Sequence, residues 1–76
     1  MQKQMDKKQF NQITGKYIQK TRTQKQFTRE QLAEYAGISS KYLYEIEMGN
    51  KGCSGYILYC LAKALKVDIQ NLFPTN

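Results

Sequence analysis

The chain has 76 residues, enough for one small domain, and carries 12 Lys and Arg against 6 Asp and Glu, a formal net charge of +6. It contains no His, which removes Ser-His-Asp and Cys-His catalysis and the usual histidine metal ligands, and its few carboxylates are too scattered for a dense metal site. No enzyme, metal or cofactor is expected. No apolar run approaches the roughly 18 residues of a membrane span, and the Gln- and Lys-rich start lacks the apolar stretch of a secretory signal. Cys53 and Cys60 match no common zinc spacing; they read as two small half-buried residues or as a redox pair, and one optional pair fits a reducing cytosol.

Residues 1–9 are polar, lack periodic apolar positions and read as a flexible basic arm bearing Lys3, Lys7 and Lys8. From there a domain over 10–73 is expected. Phe10, Ile13, Tyr17 and Ile18 fall on one helical stripe and predict a first helix over about 8–23. Thr28 and Gln31 form a capping box that opens a second helix at 29–36, with Leu32, Ala33 and Ala36 inward and Gly37 as its stop. Ser39 caps a third helix over about 40–48, with Leu43 and Ile46 inward and Gly49 at its end. Ser54 starts a fourth at about 55–66, whose stripe is Leu58, Leu61, Ala62 and Leu65. Asp68 is placed to cap a last short turn over Ile69–Phe73, ended by Pro74, with 74–76 as a tail. No strand-like alternation occurs, so the expected fold is all-α, a compact arrangement of five helices.

Charge is segregated. Residues 1–29 hold eight basic side chains and one acid, whereas 30–48 hold four glutamates against Lys41. A basic first third of this density points to a polyanionic partner. Within 29–48, two short helices joined by Gly37-Ile38-Ser39 have the turn length and glycine of a helix-turn-helix. With Leu43 and Ile46 buried, the opposite side of the third helix shows Ser40, Lys41, Tyr44, Glu45 and Met48. Such an edge, polar and weighted to the N-terminal half, is what a recognition helix offers to a major groove.

The span from Ile13 to Phe73 resembles the phage-repressor-type (XRE/Cro/C1) helix-turn-helix family. The matching pieces are Ile18…Arg22, Phe27-Thr28-Arg29-Glu30-Gln31-Leu32-Ala33, Gly37-Ile38-Ser39, Leu43-x-x-Ile46-Glu47-x-Gly49 and Leu61-Ala62-Lys63-Ala64-Leu65-x-Val67. The resemblance implies a lambda-repressor-like domain and an Arg–Glu pair between the first and third helices, here Arg22 and Glu47, with a structural role. It also implies a backbone contact at the start of the second helix, where Arg29 stands in place of the family's common Gln. Cys53 and Gly55 replace the Pro and Leu frequent around Ser54, which puts the start of the fourth helix in question.

Double-stranded DNA is the expected partner, in the bacterial cytoplasm and at the nucleoid. Ser40, Lys41, Tyr44 and Glu45 are the base-contact candidates. Lys41 suits guanine O6/N7, or a phosphate, or plain solvent; Glu45 suits cytosine N4, or an i,i+4 pair with Lys41; Tyr44 suits a thymine methyl or a phosphate. Thr28, Arg29, Ser39, Tyr42, Asn50 and Lys51 are the phosphate-contact candidates. One helix reads few base pairs, so a homodimer on a palindrome is expected, with Tyr56, Tyr59, Leu72 and Phe73 as candidate dimer residues; the alternative is that they complete the monomer core, which suits Leu72 and Phe73 somewhat better than Tyr56 and Tyr59. The rival expectation is an antitoxin-type module that binds a toxin or another regulator and controls its own gene.

Overall fold

Asp6 opens the first helix through a reciprocal pair of bonds: its carboxylate accepts from the Gln9 amide at 2.8 Å, and the Gln9 side-chain oxygen accepts from the Asp6 amide at 3.2 Å. This capping box satisfies two donors that a helix start leaves orphaned. Helix α1 then runs Lys7–Gln24 in the computed structural model, which describes residues 4–74. Lys7 and Lys8 therefore sit in the first helical turn rather than in an arm, while Lys3 and the end of the expected tail lie outside the described residues.

The inward face of α1 also differs from the apolar stripe. Thr14, Gly15, Ile18 and Arg22 are buried, and Phe10 and Tyr17 are exposed. The cause is how closely α1 crosses the third helix. A Cβ on Gly15 would land on the carbonyl oxygen of Ile46 and within 2.7 Å of that of Glu47. Only a face of small residues can approach another helix's backbone so nearly, so the aromatic residues rotate outward.

Helices α2 (Arg29–Ala36) and α3 (Ser40–Glu47) have eight residues each, too few to persist alone in water. Caps and packing hold them. The Thr28 hydroxyl accepts from the Gln31 amide at 3.0 Å while the Gln31 side chain accepts from the Thr28 amide at 2.9 Å, and the Ser39 hydroxyl accepts from the Tyr42 amide at 3.0 Å. Each cap contributes about 1 kcal/mol. Between them Gly37 takes φ +77°, and the amides of Gly37 and Ile38 bond back to Glu34 at 3.2 Å and Ala33 at 3.0 Å. That pair of reversed bonds ends α2 and turns the chain into α3.

Helix α4 (Gly55–Leu65) starts where expected because the Ser54 hydroxyl accepts from the Ile57 amide at 3.2 Å, so Cys53 and Gly55 leave its start intact. The last element, Ile69–Leu72, is a single 3-10 turn and not a fifth α-helix, and the Asp68 side chain makes no cap bond to it. The architecture among the described residues is thus four α-helices and one 3-10 turn, without strands, and no helix is long and apolar enough to cross a membrane. Ile18, Leu32, Leu43, Ile46, Leu61, Leu65 and Leu72 form the fully buried centre, drawn from every element. Leu72, at 0% exposure, closes the monomer core and cannot serve a dimer surface.

Candidate nucleic-acid interface

One carboxylate ties three helices together. Glu47, 2% exposed near the end of α3, accepts at Oε2 from Arg22 Nε at 2.7 Å and at Oε1 from Arg22 Nη2 at 3.2 Å and Arg29 Nε at 3.0 Å. Arg22 Nη1 donates to the Phe27 carbonyl at 3.0 Å. Every nitrogen of Arg22 is thereby engaged within the protein, as an Arg fork allows and a Lys would not. A buried charge is tolerable only when fully paired in this way; removing one partner from such a cluster typically costs about 3–5 kcal/mol.

Locking the inner side of α3 fixes what its outer side presents. Lys41, Tyr44 and Met48 are exposed, and Ser40 and Glu45 are half-buried along the same edge. No ion pair joins Lys41 to Glu45 among the described residues, although their i,i+4 spacing permits one. The Tyr44 ring carries the Arg29 guanidinium 5.1 Å above its centroid, a cation–π contact between α2 and α3. The edge therefore offers a cation, an aromatic ring, a carboxylate and a thioether to a partner.

Donors flank this edge. The hydroxyls of Thr28 and Ser39 accept from helix amides and keep their own O–H free to donate, at two helix N-termini where an anion is favoured. Asn50 and Lys51 are exposed in the loop after α3, with both amides bonded to the Glu45 carbonyl at 3.0 and 3.3 Å. That loop is pressed onto α1: a Cβ on Gly49 would stand 2.7 Å from Gln12 Cγ.

Three side chains sit differently from expectation. The Tyr42 hydroxyl, a phosphate candidate, donates to the Gly52 carbonyl at 3.3 Å and the ring packs against the core, because its position on α3 points toward the loop and not the open edge. Arg29 is held by Glu47 and Tyr44, two contacts that no local spacing announces. Phe73 is half-buried with its ring 6.2 Å from that of Phe10, leaving Tyr56, 71% exposed and stacked on Tyr59, as the open aromatic surface of α4. The free thiols of Cys53 and Cys60 are both half-buried, and burial pushes the Cys53 thiol above its ordinary pKa.

Residues 15–76 match the family model described as "Helix-turn-helix domain". Over 59 residues the chain is 36% identical to an uncharacterized HTH-type transcriptional regulator of Mycobacterium tuberculosis, covering 78% of this chain and 42% of that protein, so it spans less than half the relative's length. Among solved structures, the restriction-modification controller protein C.AhdI of Aeromonas hydrophila superposes with a TM-score of 0.81 at 28% identity, covering 83% of this chain and 96% of the other. The master regulator for biofilm formation SinR, solved in complex with DNA, gives 0.74 at 30% identity over 78% and 95% of the two chains. With a capped helix pair around Gly37, an outward polar edge on α3 and a family match over most of its length, the chain belongs to the XRE/Cro/C1-type helix-turn-helix family of transcriptional regulators.

Proposed function

We propose that this protein is a sequence-specific repressor that lays α3 in the major groove of DNA, acting as a homodimer on a palindromic operator. The observation that carries this reading is the open outer edge of α3, where Lys41 and Glu45 make no ion pair among the described residues and, with Tyr44, lie beside two capped helix starts. Lys41 supplies donors for guanine O6/N7, Glu45 an acceptor for cytosine N4, and Ser40 a hydroxyl at the helix start. Thr28, Ser39, Asn50 and Lys51 hold the phosphates on either side and set the register. That the similar regulator SinR was solved in complex with DNA supports DNA as the partner of this fold.

Capture is electrostatic and reading is local. If each subunit neutralises about four to six phosphates, log K falls with log salt with a slope of about −4 to −5 per subunit. Two subunits reading half-sites roughly 34–36 Å apart supply the site length that one short helix lacks, and occupancy then blocks polymerase access. The exposed Tyr56 and Tyr59 of α4 provide the dimer contact; sedimentation as a monomer at micromolar concentration would remove that part of the proposal. The decisive test is selection of bound duplexes from a random pool, repeated with Lys41→Ala and Glu45→Ala. Loss of preference at particular positions is expected. Equal weakening on all sequences would reduce both residues to backbone contacts.

A further inference from the structure

Arg22 and Arg29 share the Glu47 carboxylate but differ in what they have left over. Arg22, with a side chain 10% exposed, spends Nε and Nη2 on Glu47 and Nη1 on the Phe27 carbonyl. Arg29, 28% exposed, spends only Nε, at 3.0 Å. Its Nη1 and Nη2 make no hydrogen bond among the described residues, and its guanidinium carbon lies 5.1 Å from the centroid of the Tyr44 ring on the outward edge of α3. One carboxylate against two guanidinium groups leaves the cluster with a surplus positive charge, and the more open of the two is Arg29.

A side chain tied at Nε and stacked on a ring has already lost most of its rotamer freedom before any ligand arrives. A phosphate can also take such a fork bidentately, but its oxygens are alike at every step of the duplex and carry no base information. A guanine edge is more demanding: two acceptors, O6 and N7, must meet two parallel donors in one plane. We infer that Arg29 and Tyr44 form one specificity element, in which the terminal amino groups of Arg29 read a guanine while Glu47 and the Tyr44 ring hold the fork in place. Arg29 is then a base-reading residue supplied by α2, not a backbone clamp. This inference rests on the DNA-binding reading above.

The test is site selection and titration of single-base operator variants with the full chain, comparing wild type with Arg29→Lys, Arg29→Ala, Tyr44→Phe and Tyr44→Ala. Arg29→Lys keeps the charge, so the salt slope should stay unchanged while discrimination at one G·C position falls by roughly 5- to 150-fold. Tyr44→Ala should blur that same position and Tyr44→Phe, which keeps the ring, should preserve it. Because each readout is a ratio of affinities for two duplexes, a lower folded fraction in any variant cancels. The inference is overturned if Arg29→Lys retains every wild-type preference and Arg29→Ala weakens all duplexes alike with a slope smaller by about one. It is equally overturned if the two residues affect different positions. A wild-type protein that selects no consensus would instead bring down the DNA-reading proposal itself, and this inference with it.

Discussion

On its inner side α3 presents Leu43, Ile46 and Glu47, all buried, the two apolar residues in the core and the carboxylate held by two arginines from two other helices. On its outer side, one or two residues away along the same eight-residue rod, Lys41 and Tyr44 stand in solvent and Glu45 makes no ion pair among the described residues. Water satisfies the outer groups at no cost to folding, whereas any inner group left unmatched would be penalised in full. The contrast shows how a helix too short to be stable alone can still offer a rigid reading edge: the edge is rigid because its back is over-determined.

The largest expected effect breaks the inner side. Glu47→Gln removes the charge that pairs with Arg22 and Arg29 and should lower stability by about 3–5 kcal/mol in urea unfolding, chiefly through the buried Arg22; an unchanged midpoint would mean the cluster holds nothing. Next comes the contact behind it. Gly15→Ala should cost about 1–3 kcal/mol through collision with the α3 backbone, outweighing the ~1 kcal/mol that Ala gains in helix propensity. Gly55→Ala, with nothing within 4 Å of the added carbon, should instead gain about 0.4–1 kcal/mol. Shifts of the same sign would refute the close-approach explanation. On the outer side, Lys41→Ala and Glu45→Ala should each leave stability within about 0.5 kcal/mol while altering site preference.

The smallest effect concerns Cys53, packed against the core on the inner side of the fold. Burial raises its pKa, so the thiolate fraction at pH 7.5 is reduced and iodoacetamide should label it slowly in the native state and readily in urea. The linkage sign follows: the folded chain holds this proton to higher pH than the unfolded chain, so the contribution is present at neutral pH and lost as pH rises through the raised value. Equal labelling rates in the two states would contradict it.

Much of this architecture is legible in the linear chain because caps and stops are local. Thr28 with Gln31, Gly37, Ser39 and Ser54 each act within three or four residues, and α2, α3 and α4 start at the positions those residues predict. Asp6 with Gln9 is an equally local signal, yet the polar stretch around it reads as an arm because Lys7 and Lys8 carry no apolar periodicity. Helix α1 is misleading for a different reason. Its inward face is selected by the closeness of α3, which rewards Thr14 and Gly15 over Phe10 and Tyr17, and hydrophobicity does not encode distance. The outward residues of α3 follow from its apolar period, but the hold of Glu47 on Arg29, and of Arg29 on Tyr44, depends on side chains brought together across 18 and 15 positions of sequence.

The single carboxylate at position 47 has a consequence for re-engineering. A library randomised at positions 40, 41 and 45 should return mostly folded proteins with new operator choices, because those letters can be rewritten without disturbing the junction behind them. Extending the diversity to positions 44 and 29 means changing them as a couple, and extending it to 47 should empty the library of soluble clones. The domain thus separates into an editable script and a binding that must not be cut.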